Sequence, residues 1–377
     1  MPRILFIASH RTGRAPGQRF RFEQYFEHLE RNGFQCELSP LVTAEDDAVL
    51  YQKGHYLDKA RFVQRCLAKR AADVRRMNEF DIIFLFREAQ MTRTTRFEEA
   101  FRRSRARIVF DFDDSIWLTN VSDANRRWAW IKGAGKTPKL IGLSDLIFAG
   151  NAYLADYARV FNPNVAIVPT TIDTDVYRPV PHSTDGPVTI GWSGSITTIQ
   201  HFQYAIPALR ILKERFGERI AIRVVGDGRF SEPSLGIQGI PWRAETEIAD
   251  LAAMDIGIMP LPDDEWAKGK CGLKGLQYMG LGLPAIMSPV GVNSEIITDG
   301  DNGFLAGTTD EWVAKLTRLI EDADLRKRMG ERARRTVEER YSVNAWKNKY
   351  LEHFQRLLDQ PKTDHVRPEE DRANARA

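Results

Sequence analysis

The feature that most constrains the fold is an alternation of short apolar strand patterns with helical patterns, and it occurs twice along the chain. Strands buried on both faces form continuous apolar runs, which are typical of parallel sheets covered by helices. In the amino-terminal half the predicted strands are Ile4–Ala8, Phe34–Leu38, Asp81–Phe86, Ile108–Phe112, Leu146–Ala149 and Val165–Val168. In the carboxy-terminal half they are Val188–Trp192, Ile220–Val225, Ile256–Met259 and Ala285–Met287. The first helix is predicted over Arg21–Asn32. The sequence therefore predicts an α/β protein with two doubly wound parallel sheets.

The length of the chain also predicts two domains, because 377 residues exceed the size at which one hydrophobic core stops growing. Segment 179–187 is rich in proline and small polar residues, the composition of a linker. It separates an amino-terminal domain, 1–178, from a carboxy-terminal domain, 188–345. Residues 346–358 are predicted to form a terminal helix that crosses back to the first domain. The polar tail, 359–377, is predicted to be disordered.

Composition excludes several functional classes. A hydrophobic fraction of 43% with 28% charged residues is ordinary for a globular protein, and a net charge of +3 does not favour nucleic-acid binding. No run approaches the roughly 20 apolar residues that span a bilayer. The three cysteines have neither the count nor the spacing of a disulfide framework. We therefore expect a cytoplasmic protein.

Segment 59–76 is strongly basic, with apolar residues interleaved among its cations. An amphipathic basic helix can rest on the inner face of an anionic membrane, which predicts a peripheral membrane contact here. An ordinary solvated helix has the same pattern. A lipid-linked substrate would favour the membrane interpretation.

A glycine-rich loop with two lysines predicts an anion site. Gly269 and Gly272 allow close approach to the backbone, and Lys270 and Lys274 stand at the start of a helical pattern. The first N–H groups of a helix have no partner within it and favour a negative charge. Loops after parallel strands line ligand sites. The segment therefore predicts a phosphate-bearing ligand in a cleft between the two sheets.

Several runs resemble glycosyltransferase family 4 (group 1), the retaining enzymes of the GT-B fold. They are RILFIASHRTG, DLIFAGNAYLADYA, VAIVPTTIDTDVY, VTIGWSGS, LQYMGLGLPAIMSPVGVNSEII, DGDNGFLA and LRKRMGERARRTVEERYS. They cover most of residues 1–358. The resemblance implies two Rossmann-like domains facing across a cleft. It further implies a nucleotide diphosphate sugar as donor, a glycan or lipid-linked acceptor, and no metal or other cofactor.

The chain departs from that family in its charged residues. Many members carry two glutamates eight positions apart, where this chain has Gly269 and Gln277. An Arg and Lys pair on the first carboxy-terminal loop is also missing. We expect Lys270 and Lys274 to supply that positive charge, and Gln277 to keep a hydrogen bond to the ribose.

The remaining predicted donor contacts follow strands of the second domain. The first of these loops, after Trp192, could place backbone N–H groups and a hydroxyl against a diphosphate, although Ser195 could equally be only a helix cap. Glu295 is predicted to line the donor site, or else to cap its own helix. The full set of predicted donor residues is Ser193, Gly194, Ser195, Gly226, Lys270, Gly272, Lys274, Gln277 and Glu295.

The predicted catalytic and acceptor residues follow strands of the first domain. Asp113 and Asp114 come where the family often presents a histidine, and they are predicted to orient the acceptor or the transferred sugar; turn and cap roles are the alternative. Predicted catalytic residues are Asp113, Asp114, His10 and Lys270; predicted acceptor contacts are Gly13, Arg19 and Arg21. No metal site is expected.

The predicted function is transfer of a sugar from a nucleotide diphosphate donor to a glycan or lipid-linked acceptor, with retention of anomeric configuration. Two alternatives remain open. One is a sugar-nucleotide epimerase of the same fold, which needs no acceptor. The other is a non-catalytic nucleotide-sugar-binding protein, because the two usual carboxylates are absent.

Overall fold

The first sheet contains six parallel strands. The structure is a computed structural model that describes residues 1–50, 55–118, 134–180, 186–195 and 197–362. Its first sheet has the order β2-β1-β3-β4-β5-β6. The strands are β1 (Arg3–Ile7), β2 (Gln35–Ser39), β3 (Ile82–Phe86), β4 (Arg107–Phe112), β5 (Leu146–Ala149) and β6 (Val165–Ile167). All neighbours pair in parallel.

The second sheet repeats this plan. Its order is β11-β8-β7-β12-β13-β14, again with parallel pairs. The strands are β7 (Val188–Ser193), β8 (Ile220–Gly226), β11 (Ile240–Pro241), β12 (Ile256–Met259), β13 (Ala285–Met287) and β14 (Phe304–Leu305). A small antiparallel hairpin consists of β9 (Ser231–Glu232) and β10 (Ile237–Gln238). The predicted fold class, α/β with two doubly wound parallel sheets, is confirmed.

Helices connect the parallel strands, as such sheets require. In the first half they are α1 (Pro16–Arg21), α2 (Phe26–Arg31), α3 (Ala44–Leu50), α4 (Tyr56–Arg76), α5 (Arg96–Arg102), α6 (Thr137–Leu143) and α7 (Ala152–Arg159). In the second half they are α8 (Ile206–Phe216), α9 (Glu247–Ala252), α10 (Glu265–Lys268), α11 (Leu273–Gly280), α12 (Asn293–Ile296), α13 (Thr309–Glu321), α14 (Ala323–Thr336) and α15 (Val343–Asp359).

The terminal helix α15, which contains the predicted helix 346–358, packs on the first sheet. Tyr350 stacks on Tyr25 with ring centroids 4.2 Å apart, and Phe354 lies edge-on to Phe84 of β3 at 6.2 Å. All four rings are buried. The chain thus returns to the first domain after completing the second. Residues 181–185 of the predicted linker and 363–377 of the predicted tail lie outside the described residues.

The first predicted helix differs from the structure. Residues 16–31 form two short helices, α1 and α2, with a 3₁₀ turn over Glu23–Tyr25 between them. Pro16 begins α1, since its fixed φ suits a first helical position. Phe22 interrupts the helix with φ −139° and buries its ring completely in the core. Packing of this ring offsets the loss of a continuous helix.

Candidate active site

The loop after β1 is held by side-chain hydrogen bonds. The backbone N–H of His10 donates to Gln18 Oε1 at 2.8 Å, and Gln18 Nε2 donates back to the His10 carbonyl at 2.8 Å. Gly13, at φ +78°, donates its N–H to Glu23 Oε2 at 2.8 Å. Two of the predicted residues, His10 and Gly13, therefore lie on a loop of defined shape at the carboxyl edge of the first sheet.

Arg87 links the two predicted catalytic acids. It follows β3 and has φ +63°, which is rare for a residue with a side chain. Its Nε donates to Asp113 Oδ1 at 2.8 Å and its Nη2 to Asp114 Oδ2 at 2.7 Å. Burial acts to raise the pKa of Asp114, but Lys270 and Arg87 outweigh it and hold that pKa below its usual value. Asp114 is therefore ionised at neutral pH.

Lys270 reaches across the cleft to the same acid. Its Nζ donates to Asp114 Oδ1 at 2.7 Å, and it also lies 5.2 Å from the Trp266 ring centroid. Next to it, a Cβ on Gly269 would lie 2.1 Å from the Ser115 hydroxyl and 2.7 Å from its backbone nitrogen. Only glycine fits this approach. The loops after β4 and after α10 are thus in direct contact, and predicted residues from both domains come together.

The amino terminus of α11 lies beside these groups. It begins after Gly272, whose φ is +72°, and no side chain caps it. Lys274 stands in its first turn with Nζ 5.5 Å from the Trp192 ring centroid. Burial, followed by the charge of Lys270, lowers the pKa of Lys274 to about 8. This side chain has no hydrogen bond or ion pair to any described residue, so its charge is available to a ligand.

The predicted loop 193–195 has its N–H groups occupied. Ser193 donates to the Tyr278 hydroxyl at 2.7 Å, Gly194 to the Val225 carbonyl at 2.9 Å, and Ser195 to Thr198 Oγ1 at 2.9 Å. A Cβ on Gly226 would lie 2.5 Å from the Gly194 carbonyl oxygen. The contacts favour the turn and cap interpretation of this loop over direct binding of a diphosphate.

Gln277 belongs to a buried cluster centred on Glu247. Its Nε2 donates to Glu247 Oε1 at 3.3 Å and to the Tyr177 hydroxyl at 3.1 Å. The same carboxylate accepts from Tyr177, from Trp242 Nε1 and from Arg19 Nη2, at 2.7, 2.9 and 2.7 Å. Glu247 is only 4% exposed. Arg19, a predicted acceptor residue, therefore links the first domain to the second through Glu247.

Two other predicted residues lie apart from this cleft cluster. The Arg21 guanidinium is buried, pairs with buried Asp111 and donates to the Val168 carbonyl. These contacts favour a structural role over acceptor binding. Glu295 is exposed on α12, where its carbonyl accepts from Arg340. The predicted substrate contacts of Arg21 and Glu295 remain predictions.

Sequence reasoning missed a histidine on the donor side. His201 is 6% exposed and its Nδ1 has no partner among the described residues. Burial lowers its pKa to about 4, and the charges of Lys274 and Lys270 act in the same direction. The imidazole is neutral at neutral pH. The only sequence signal was its place shortly after the loop 193–195, in a 3₁₀ turn before α8.

Most cations of the predicted basic segment have internal partners. Arg70 is fully buried and donates to the Ala8, Ser39 and Ala89 carbonyls. Further ion pairs of this segment are Arg65–Asp46, Arg61–Asp58, Lys69–Asp73 and Arg76–Glu37. These pairs reduce the charge that α4 offers to a membrane. The peripheral membrane contact remains a prediction.

Neither a metal cluster nor a membrane-spanning helix occurs in the described part of the chain. There, His, Cys, Asp and Glu side chains form no group of three that could hold a metal ion. None of the helices described is both long and apolar enough to cross a bilayer. The absence of a metal or other cofactor remains a prediction.

The fold and the position of the cleft define a structural class. Two six-stranded parallel sheets are covered by helices, and loops from their carboxyl edges meet across a cleft. This is the GT-B fold. Residues 187–322 match the model of the family described as "Glycosyl transferases group 1". That match supports the predicted resemblance to group 1 glycosyltransferases.

Solved structures of other proteins superpose on this fold. Sucrose-phosphate synthase from Thermosynechococcus elongatus superposes with a TM-score of 0.67 at 13% identity, covering 95% of this chain and 100% of that one. A glycosyltransferase from Rickettsia africae superposes with a TM-score of 0.65 at 14% identity, covering 96% of this chain and 99% of that one. Anabaena HepE in complex with UDP and glucose superposes with a TM-score of 0.62 at 17% identity, covering 93% of this chain and 99% of that one. At these identities the likeness establishes the fold.

One curated relative matches in sequence over a short region. N-acetyl-alpha-D-glucosaminyl L-malate synthase from Bacillus anthracis is 34% identical over 99 residues, which are 26% of this chain. The match spans 25% of the length of that relative.

Proposed function

We propose that this protein is a glycosyltransferase that moves a sugar from a nucleotide diphosphate donor to a glycan or lipid-linked acceptor. One observation carries the proposal: the uncapped amino terminus of α11 with Lys270 and Lys274 beside it, at the meeting of the two sheets. A diphosphate needs such a combination of N–H groups and cations, because its charge grows as the sugar leaves. The group 1 family match covers this segment.

Neutral and acidic side chains of the first domain would bind and orient the acceptor. Asp113 and His10 lie on loops at the carboxyl edge of the first sheet and are candidates to orient the acceptor hydroxyl. We infer transfer with retention, by attack on the same face from which the diphosphate leaves, from the resemblance to family 4. The anomeric configuration of the product, measured by NMR, tests this inference.

The donor is tested by thermal shift against a panel of nucleotide sugars, since a ligand that binds only the folded state raises its melting temperature. We expect one base and sugar to stabilise the protein, and Lys270→Ala and Lys274→Ala to reduce the shift. Lys327→Ala, at an exposed lysine on α14, is the matched control. A panel in which no donor shifts the protein would contradict the proposal.

A non-catalytic nucleotide-sugar-binding protein is the second candidate. One observation favours it: Ser115 of the other domain fills the space beside Gly269, where many family members carry a carboxylate. Slow donor hydrolysis and transfer products would exclude it. The epimerase alternative has no such support, because the reported relatives named by activity are glycosyltransferases and synthases, and product analysis would detect epimerisation.

A further inference from the structure

Two arginines of the loop after β1 share a single carboxylate oxygen. Arg11 Nη1 and Arg14 Nε both donate to Asp47 Oδ2, the latter at 2.9 Å. The two arginine side chains are 40% and 39% exposed, whereas Asp47 is 13% exposed. Asp47 thus faces both cations through one oxygen, and the Glu45 carboxylate also interacts electrostatically with Arg11. The other N–H groups of these guanidinium forks can meet a ligand from solvent.

The two acids that follow β4 are already engaged by other cations. Arg87 is already paired with Asp113 and Asp114, and Asp114 also pairs with Lys270. That group of two cations and two anions is balanced. The partly exposed guanidinium groups of Arg11 and Arg14 lie on the β1 loop, next to the predicted acceptor residues.

An unpartnered ring nitrogen of His10 indicates a ligand at the same loop after β1. Its Nδ1 is buried and has no hydrogen-bond partner among the described residues. A buried polar atom without a partner costs free energy, so such an atom commonly marks where a ligand or water completes the site. Burial lowers the pKa of His10; Arg14, Arg11 and Arg87 lower it further, against the opposing charge of Asp47. The imidazole is neutral and can accept a hydrogen bond from a hydroxyl.

This loop is also rigid enough to act as a preformed site. Gln18, which is 1% exposed, makes two hydrogen bonds to the His10 backbone, and Glu23 accepts from Gly13. A ligand therefore does not have to order this backbone on binding, which spares an entropic cost.

We propose that the acceptor is an anion whose carboxylate or phosphate group binds Arg11 and Arg14, which places its hydroxyl at His10 Nδ1. The inference rests on the proposed function, because it names the chemical class of the acceptor for that reaction. A guanidinium fork matches the two oxygens of either anionic group. A neutral glycan end offers no such group to the N–H groups of these arginines that Asp47 does not bind.

The experiment is NMR titration of the His10 imidazole in the full chain with ¹⁵N-labelled histidine. The chain has seven histidines, and the spectrum of His10→Gln assigns the signal. Phosphate and malonate are added separately, in the presence of saturating UDP to occupy the lysine site, with sodium chloride at equal ionic strength as the blank. We expect both dianions to move the His10 signal saturably, and glycerol to leave it unchanged.

Paired variants make the test specific. The double variant Arg11→Gln, Arg14→Gln should bind either dianion at least tenfold more weakly. The double variant Arg11→Lys, Arg14→Lys should recover most of the affinity. Arg31→Gln, at an exposed arginine paired with Glu27 on α2, is the matched control. The lysine variant also shows whether a loss with glutamine reflects misfolding, because it keeps both charges.

The outcomes separate this inference from the proposed function. A His10 signal that neither dianion moves, or equal affinity in the glutamine variant, overturns the anionic acceptor while UDP binding still stands. Dianion binding in a protein that transfers sugar only to neutral acceptors overturns it as well. Failure of every nucleotide sugar to bind overturns the proposed function and, with it, the acceptor assignment.

Discussion

Lys274 provides the sharpest test of the donor site, because it has no hydrogen bond or ion pair to a described residue. We consider the change Lys274→Met, which keeps the length of the side chain and removes the ammonium group. Loss of a charged hydrogen bond costs about 1.5–3 kcal/mol, so diphosphate affinity at pH 7 should fall about 10- to 150-fold. Binding of the nucleoside alone should change little, since it makes no contact with this charge.

The pH dependence follows from the lowered pKa of Lys274, about 8. Bound phosphate favours the ammonium and raises that pKa. Affinity should therefore be constant below pH 8 and fall about tenfold per pH unit above it, until the pKa of the bound state is reached. The Met variant should lose this dependence. Calorimetry with a nucleoside diphosphate between pH 7 and 9 measures both effects.

The stability of the folded protein should rise with pH over the range in which ligand affinity falls. The pKa of Lys274 lies below its ordinary 10.5, so the unfolded chain binds more protons between pH 8 and 10.5 and stability rises across that window. Below pH 8 the buried ammonium costs at most about 3 kcal/mol. Lys274→Met should therefore raise the melting temperature while weakening the ligand. A variant that loses both stability and affinity, or a wild-type affinity that is flat from pH 7 to 9, would refute the reasoning; Lys327→Met is the control.

Three further changes test contacts across the cleft. Glu247→Gln should lower the free energy of unfolding in urea by about 1.5–3 kcal/mol, because Arg19, whose side chain is 21% exposed, loses its charged hydrogen-bond partner; if the costs of Glu247→Gln and Arg19→Gln simply add in the double variant, the pairing is contradicted. Gly269→Ala should push its loop away from Ser115 and enlarge the radius of gyration in small-angle scattering, and an unchanged curve would argue against the contact. Asp113→Asn should lower turnover at nearly constant nucleotide affinity, insensitive to chelator; activity lost with chelator and restored by manganese would show a metal site instead.

The strands could be predicted from sequence because their signal is local. The run Ile82–Phe86 is apolar at every position, and a strand buried on both faces allows no other pattern. The loops with glycine and lysine were equally visible, since Gly269 to Lys274 form one continuous segment. Helix bounds were less certain, because Phe22 breaks a helical pattern through tertiary packing.

The partners of the charged residues could not be predicted, because they are distant in sequence. Arg21 pairs with Asp111, 90 positions away, and Arg19 with Glu247, 228 positions away. Both arginines were predicted to contact the acceptor. Only the fold shows that one is buried and that the other joins the two domains. Glu247 itself lies in an ordinary amphipathic helix pattern, which gives no sign of its burial.

Asp114 connects the donor side of the cleft to the acceptor side. It accepts from Lys270 of the second domain and from Arg87 of its own. A diphosphate that binds Lys270 brings a second anion to the same ammonium, and the two like charges repel. Repulsion from the Asp114 carboxylate therefore weakens diphosphate binding. Asp114→Asn removes this repulsion, so we expect it to tighten diphosphate binding, measured by calorimetry. The Asp113 side chain pairs only with Arg87 among the described residues, so Asp113→Asn should leave the affinity nearly unchanged. Weaker binding by Asp114→Asn would mean that the ion pair holds Lys270 in place for the phosphate, and that attraction within the cleft exceeds the repulsion.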